Sequence, residues 1–254
     1  MSTNTSRVAG TAAKVAAVAA FGALALAPVV IPTATANAAD DACANVEVVF
    51  ARGTFEAPGV GDTGQAFVDA LGARLPGKSM DVYAVNYPAT LDFDQAAVGI
   101  ADAANRIESI AANCPATKIV IGGYSQGAAV AGYTTASSVP AGFTLPAGIT
   151  GPMSPSVASH VAAVVMFGTP DSWFLNLADH DAPPIVIGGP YAGKTLQLCA
   201  PGDPVCFPGG LTRAAHSAYK SNGMAEAAAD FVAQKVGSTP AATMVQTAAT
   251  VDVN

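Results

Sequence analysis

A serine with a glycine two positions away on each side stands in residues 121–130, IGGYSQGAAV. A serine hydroxyl is a useful nucleophile only where a base can take its proton. The apolar run Lys118–Gly122 before Ser125 is typical of a strand, and the small residues GAAVAGYTTA after it indicate a helix. Strand, sharp turn and helix is the setting that lifts such a serine above the edge of a sheet. The pattern predicts a nucleophile at Ser125, against the alternative of a serine in a glycine-rich turn.

The residues around Ser125 suit acyl-transfer chemistry. A Cβ atom at position 123 or 127 would collide with the neighbouring strand or helix, which explains Gly123 and Gly127. The helix that follows points its amino end at the site, where its dipole favours an oxyanion. The backbone N–H of Gln126 is then the natural first oxyanion donor.

Such a serine also needs a histidine and an acid that orients it, and the chain has three histidines. His160 lies at the amino end of an expected strand, roughly 20 to 25 Å from the edge that carries Ser125, so we expect a structural role. His180 follows the other end of that strand, with Asp171 or Asp179 as conceivable partners. The remaining histidine belongs to a pair that follows the usual chain order of nucleophile, acid and histidine, and we favour that pair.

That favoured pair is Asp203 and His216. His216 follows the last expected strand and a turn-rich loop, and it is expected to open the final helix, roughly Ser217–Val236. Chain order favours it over His180 as the base.

The elements that must position these groups alternate along the chain. Short β-branched runs predict buried strands, and an apolar stripe of period 3.6 predicts a helix over Asp94–Asn113. Alternating strands and helices imply an α/β fold with a parallel sheet covered on both faces. The expected strands are Val46–Phe50, Asp81–Val85, Lys118–Gly122, Val161–Phe167 and Thr195–Leu198.

Two stretches break this alternation, namely residues 137–159, rich in Pro, Gly and Ser, and residues 171–193, which contain Trp173. Long loops of this kind usually shape a binding site, so we expect both to border the substrate pocket. For Trp173 a packed helical turn and a substrate-facing flap remain open.

The first 38 residues have the layout of a secretory signal peptide. Arg7 and Lys14 precede the apolar run Val15–Ile31, and small residues end at Ala38. A membrane anchor is the alternative, but the run contains Pro28 and is shorter than the roughly 20 apolar residues that span a bilayer. We expect a secreted chain without a transmembrane segment, with one domain over 39–237 and a flexible tail over 238–254.

Charge and cysteine usage narrow the function classes. The chain has 11 Lys and Arg against 18 Asp and Glu, which argues against a nucleic-acid partner. An even number of cysteines in an exported chain favours two disulfides, for which three pairings are possible. Neither a CxxC pair nor a histidine at ligand spacing accompanies the cysteines, so no metal site is expected. The four are Cys43, Cys114, Cys199 and Cys206.

Three motifs together, GGYSQGAAV, CAPGDPVC and a histidine ten positions after the last cysteine, resemble the cutinase family of serine esterases. The resemblance implies a lid-free α/β-hydrolase, a three-layer α/β/α sandwich around a five-stranded parallel sheet. It implies Ser125 as nucleophile, His216 as base and Asp203 as its partner. It also implies a second oxyanion donor at the backbone N–H of Thr54, in the turn ARGTFE.

The resemblance further implies disulfides between Cys43 and Cys114 and between Cys199 and Cys206. The expected function is a secreted, monomeric carboxylesterase that hydrolyses short- to medium-chain acyl esters, without a metal or cofactor. Lipid or polyester esters are the expected substrates. An acetyl xylan esterase, a phospholipase or a thioesterase on the same scaffold is an alternative, and a non-catalytic secreted binding protein is an alternative of another class.

Overall fold

The computed structural model of the protein describes residues 43–139, 145 and 148–237. The expected signal peptide (residues 1–38) and tail (residues 238–254) lie outside the described residues, and both remain predictions. Part of the segment 137–159 also lies outside them.

Five parallel strands form one sheet in the order β2-β1-β3-β4-β5, as the sequence predicted for number and direction. The strands are β1 (Val46–Ala51), β2 (Met80–Ala84), β3 (Lys118–Tyr124), β4 (Val161–Phe167) and β5 (Thr195–Leu198). The α-helices are α1 (Gly61–Arg74), α2 (Ala96–Asn113), α3 (Gln126–Thr134), α4 (Ser172–Ala178), α5 (Gly189–Ala192), α6 (Arg213–His216) and α7 (Met224–Lys235), with single 3₁₀ turns at Phe93–Gln95 and Val157–Ser159.

Helices cover both faces of the sheet, which gives the expected three layers. On one face, Phe67 of α1 and Val232 of α7 pack with Phe50 of β1 in one hydrophobic core. On the other face, Ile107 of α2 and Val130 of α3 belong to a second core. Burying each such side chain contributes roughly 1.5 to 3 kcal/mol, so the two cores hold the helices of both layers against the sheet.

The expectation that all five strands are buried is wrong for β2 and β5. Both strands lie at the edges of the sheet, and their residues are only partly buried; Val82 of β2 is 42% exposed. The apolar runs indicated strands, but they could not indicate which strands would have a neighbour on only one side.

Two helix boundaries also differ from the sequence-based expectation. The helix expected over Asp94–Asn113 begins as a 3₁₀ turn and becomes α-helical at Ala96. The final helix is α7, which begins at Met224 rather than near Ser217, because the chain first turns through Gly223 in the left-handed region (φ 86°). His216 consequently ends the one-turn helix α6 and does not open the final helix.

Two disulfides join the cysteines in the pairing that the resemblance implied. Cys43 is bonded to Cys114, at the end of α2, and Cys199 is bonded to Cys206 across the loop after β5. Within the described ranges, none of the helices has the length and apolar character needed to cross a bilayer.

Candidate active site

Ser125 occupies a strained turn between β3 and α3. Its φ of 54° and ψ of −119° lie outside the regions that a residue with a Cβ ordinarily adopts. A Cβ on Gly123 would lie 2.0 Å from the carbonyl oxygen of Gly127, and one on Gly127 would lie 2.0 Å from that of Ala51. Glycine is therefore required on both sides of the serine, for the steric reason that the sequence pattern indicated.

The structure brings His216 and Asp203 to this serine. Nε2 of His216 lies 2.8 Å from Oγ of Ser125, and Nδ1 of His216 lies 2.9 Å from each carboxylate oxygen of Asp203. The serine comes from the turn after β3, the aspartate from the loop closed by the Cys199–Cys206 disulfide, and the histidine from the end of α6. Side chains separated by up to 91 residues thus form one hydrogen-bonded row.

Asp203 is fully buried and remains ionised. Burial alone would raise the pKa of its carboxyl, but hydrogen bonds from His216, from the hydroxyl of Tyr219 and from the backbone N–H of Val205 outweigh burial and lower it below its ordinary value. The tyrosine O–H donates at 2.5 Å and the Val205 N–H at 2.8 Å. The carboxylate that faces His216 is therefore fixed on three sides.

Tyr219 is a residue of this site that the sequence reasoning missed. It is fully buried, it donates to Asp203, and its oxygen accepts the backbone N–H of Ala200 at 3.0 Å. Burial, followed by the hydrogen bond to Asp203, raises the pKa of Tyr219, so the phenol stays protonated as a donor. The sequence carried no signal for this role, because the contact of Tyr219 with Asp203 depends on the turns that follow α6.

Tyr124 also positions His216. Its hydroxyl donates to the backbone carbonyl of His216 at 2.6 Å, and the two ring centroids lie 5.0 Å apart. The neighbouring Gly168 has φ 59°, and a Cβ there would lie 3.1 Å from Cε1 of His216. The imidazole thus sits in a space shaped by an aromatic ring and a glycine.

The two oxyanion-donor candidates occupy neighbouring segments. Gln126 begins α3 directly after Ser125, and Thr54 lies in the turn after β1, whose Ala51 pairs with Gly123. Buried Arg52 stabilises that turn. Its guanidinium donates to the backbone carbonyl of Glu56 at 2.9 Å and to that of Tyr87 at 2.7 Å.

The carboxylate of Glu56 also stabilises the turn that contains Thr54. It accepts the backbone N–H of Gly53 at 2.6 Å and that of Asp62 at 2.8 Å. The turn that contains Thr54 is therefore fixed before any substrate arrives.

The other two histidines lie outside this row. His160 precedes β4 at the amino end of the sheet, and its Nδ1 is 3.2 Å from the carbonyl of Pro115. His180 is exposed, with Nδ1 3.2 Å from the side-chain nitrogen of Asn176. Neither forms a hydrogen bond with Ser125, whose histidine partner in the described part of the chain is His216.

A cavity of about 390 Å³ opens beside Gln126. The start of α2 and residues 170–183 form much of its mainly apolar wall, with Phe174 and Leu175 of α4 among the lining. Trp173 lies on the same helix, but it is 65% exposed and does not line the cavity, so it is neither packed in the core nor facing this pocket. Residues 149 and 151–153, expected to border the same pocket, line a separate and smaller cavity.

In the part of the chain that the structure describes, one cluster has ligand atoms close enough for a metal ion, namely Cys199, Asp203 and Cys206. Its two sulfur atoms are bonded to each other, so neither is the thiolate that a metal requires. The carboxylate is already occupied by its hydrogen-bond donors.

Comparison with known proteins identifies the family. The family model described as Cutinase matches residues 42–236. The chain belongs to the cutinase family. Probable carboxylesterase Culp5 of Mycobacterium tuberculosis (strain ATCC 25618 / H37Rv) is 54% identical over 171 residues, which cover 67% of this chain and 95% of that relative. Cutinase-family membership makes the chain a carboxylic ester hydrolase, in agreement with the function expected from the sequence.

Two solved structures show the same fold. An acetyl xylan esterase superposes with a TM-score of 0.63 at 29% identity, covering 77% of this chain and 100% of the other. Trichoderma reesei cutinase, in complex with a C11Y4 phosphonate inhibitor, superposes with a TM-score of 0.56 at 30% identity, covering 77% of this chain and 78% of the other. This cutinase-family chain thus has the α/β-hydrolase fold that the resemblance implied, built on the parallel sheet that its strand and helix pattern predicted.

Proposed function

We propose that this protein is a secreted serine carboxylesterase that cleaves acyl esters through Ser125, His216 and Asp203. The observation that carries the proposal is the row of contacts from Oγ of Ser125 through the imidazole to a buried carboxylate. A carboxylate can only accept hydrogen bonds, so the proton of the neutral imidazole is held on Nδ1. Nε2 is then free to take the proton of the serine.

The first half of the reaction forms an acyl-enzyme. As Nε2 of His216 accepts the proton, Oγ of Ser125 attacks the ester carbonyl and the carbonyl oxygen becomes an oxyanion. The backbone N–H groups of Gln126 and Thr54 donate to this oxyanion. His216 then gives its proton to the leaving alcohol, and the acyl group remains on the serine.

The second half returns the free enzyme. Water gives a proton to His216, attacks the acyl carbonyl, and the same two backbone donors hold the second oxyanion. Collapse of this intermediate breaks the bond to Oγ, and the imidazole returns the proton to the serine. The product acid leaves, and no group outside the chain is consumed except water.

The substrate side of the proposal rests on the cavity beside Gln126. A volume of about 390 Å³ lies at the small end of the range for ligand sites, roughly 300 to 1,000 Å³, and its wall is mainly apolar. Such a space suits short- to medium-chain acyl groups. Gln126, which follows Ser125 directly in the chain, lines this cavity, and that supports an acyl-binding role for it.

Secretion is part of the same proposal. Two disulfides within the described domain suit an oxidising compartment, as does the layout of residues 1–38. The acetyl xylan esterase structure favours one alternative within the same chemistry, an enzyme confined to acetyl esters.

An organophosphonate nitrophenyl ester tests the proposal directly. It should release one equivalent of nitrophenol and leave one phosphonyl group on Ser125, located by peptide mass spectrometry. A chain-length series of p-nitrophenyl esters, from acetate to decanoate, should show highest kcat/KM at short to medium length. A non-catalytic binding protein would stay unmodified, and activity confined to the acetate would establish the acetyl-esterase alternative.

Tyr219→Phe should lower kcat about tenfold, because Asp203 loses one of its hydrogen-bond donors and holds the imidazole less firmly. Removing that donor also raises the pKa of the Asp203 carboxyl and concentrates its charge towards His216. The acid limb of the kcat/KM profile should therefore move to higher pH, which titration of the rate with pH will measure.

Tyr83→Phe is the matched control for Tyr219→Phe. Tyr83 also donates its hydroxyl to a carboxylate, that of Asp102 at 3.0 Å, but it lies on the edge strand β2 away from the triad. Its loss should leave the position of the acid limb unchanged. A Tyr219→Phe enzyme that loses stability while keeping the wild-type pH profile would show that the tyrosine only packs.

A further inference from the structure

The cavity beside Gln126 follows the groove between two helices that start at the same edge of the sheet. Both helices contribute to its lining from their first residues onward, namely Ala96, Ala97 and Ile100 of α2 and Gln126, Ala129 and Tyr133 of α3. Spacings of three and four residues return to the same face of a helix, so each helix turns one face to the cavity. The lining residues farthest along the two helices are Ile100 and Tyr133.

A second, smaller cavity shares these two side chains with the first. Its volume is about 40 Å³, and its lining includes Ile100 and Tyr133 together with Ala104, one turn further along α2, and Thr134 at the end of α3. The rest of its lining comes from the segment after α3 and is mainly apolar, with Val139, Leu145, Ile149 and Met153 among it. The side chains of Ile100 and Tyr133 therefore divide one groove into two cavities.

Tyr133 is held between the two cavities by the segment that precedes α5. Its hydroxyl donates to the backbone carbonyl of Pro183, which also lines the larger cavity. Burial raises the pKa of Tyr133 to about 12, so the hydroxyl stays protonated as the donor of this bond. A Cβ on the preceding Gly132 would lie 2.4 Å from Cγ2 of Ile185, so the same segment packs directly against α3. These contacts oppose a movement of the tyrosine ring out of the groove.

We propose that Tyr133 sets the length of the acyl chain that this esterase prefers, because with Ile100 it closes the far end of the acyl cavity. The inference rests on the proposed function, in which the cavity beside Gln126 holds the acyl chain. Tyr133 follows Gln126 by seven residues, which is roughly 10 Å along a helix. An extended chain advances roughly 1.2 Å per bond, since the three backbone bonds of a residue span about 3.6 Å, so the cavity takes an acyl group of about eight carbons.

The energetic reason for a length limit is that methylene groups favour binding only where they are buried. Each buried methylene strengthens binding about fourfold. A chain that reaches the ring of Tyr133 has to leave its further methylenes in water, where they add nothing to the affinity. Without that ring, the chain can continue along the same groove into the second, apolar cavity.

The first experiment removes the ring and measures the preference for chain length. The measured quantity is kcat/KM for p-nitrophenyl decanoate divided by that for the octanoate, which should be near one in the wild type. Tyr133→Ala should raise this ratio about tenfold, because two more methylenes become buried. Tyr133→Leu should raise it severalfold and remains a test where the alanine variant does not fold. A ratio that stays at the wild-type value in the folded variants would overturn the proposal.

Two further variants separate a wall of the cavity from a general loosening of the fold. Tyr83→Ala is the matched control, because Tyr83 is also partly buried and donates its hydroxyl to Asp102 at 3.0 Å, but lines neither cavity. It should leave the decanoate ratio unchanged, and a rise as large as that of Tyr133→Ala would overturn the proposal. Ala129→Leu narrows the cavity between Gln126 and Tyr133, so it should lower kcat/KM for the octanoate relative to the butyrate about tenfold.

Binding without turnover separates this proposal from the proposed function. In the full chain carrying Ser125→Ala, calorimetry with methyl alkyl ketones from pentyl to dodecyl should show affinity rising about fourfold per carbon and then levelling off. Adding Tyr133→Ala should move the levelling-off to a chain longer by at least about two carbons. The same levelling-off in both chains, or no binding of any ketone, would overturn the proposal. A protein that cleaves no ester but shows this shift would contradict the esterase and support the role of Tyr133.

Discussion

Ser125→Ala and His216→Ala should each lower kcat by about 10⁶-fold, and the double variant should lose no more than either one alone. The serine supplies the attacking oxygen and the imidazole takes its proton, so either residue is of little use without the other. The remaining rate, about 10³-fold above that in water, comes from oxyanion donors and binding. Initial rates of p-nitrophenyl butyrate hydrolysis by the three variants and the wild type measure this.

His180→Ala is the control for this pair of variants. His180 is exposed and contacts Asn176 rather than Ser125, so its loss should leave kcat within about twofold. Losses that multiply in the double variant would contradict a serine and histidine acting as a unit. A His180→Ala enzyme as inactive as Ser125→Ala would move the base to the loop after β4.

The part of the site that the sequence predicted is local. Gly123, Ser125 and Gly127 lie within five residues, and the strand and helix on either side are visible from hydrophobic pattern alone. The choice of His216 over His180 depended on chain order, since both follow strands that end at the same edge of the sheet. The contacts of His216 with Ser125 and Asp203 agree with that order.

What the sequence did not predict depends on packing between distant segments. Nothing in the pattern around Tyr219 shows that its hydroxyl meets Asp203, because the final helix was expected to begin near Ser217, whereas Tyr219 lies in the turns before Met224. The lining of the cavity beside Gln126 was missed for the same reason: Asp94 and Asp181 are 87 positions apart in the chain, and only the fold places them around one cavity. The edge position of β2 likewise follows from strand order, which hydrophobicity does not encode.

Asp203→Asn should lower kcat by about 10⁴-fold while the fold survives. Asparagine has one acceptor oxygen. Because the backbone N–H of Val205 needs an acceptor, this oxygen takes the position of Oδ1. The amide nitrogen then lies at the position of Oδ2, beside Nδ1 of His216 and the hydroxyl of Tyr219. It donates to Nδ1, so the imidazole proton moves to Nε2, and His216 can no longer accept the proton of Ser125.

The same variant should change how stability depends on pH. The pKa of Asp203 in the folded protein is below its ordinary value of 3.8, so the ionised carboxylate contributes stability that is complete above that value. This contribution is lost as pH falls through the lowered pKa, and asparagine removes it at every pH. Urea unfolding between pH 3 and 7 should therefore show a shallower slope for Asp203→Asn, with lower stability at pH 7. An equally steep slope would mean that other carboxylates govern acid unfolding, and near-wild-type turnover would mean that His216 keeps its tautomer without Asp203.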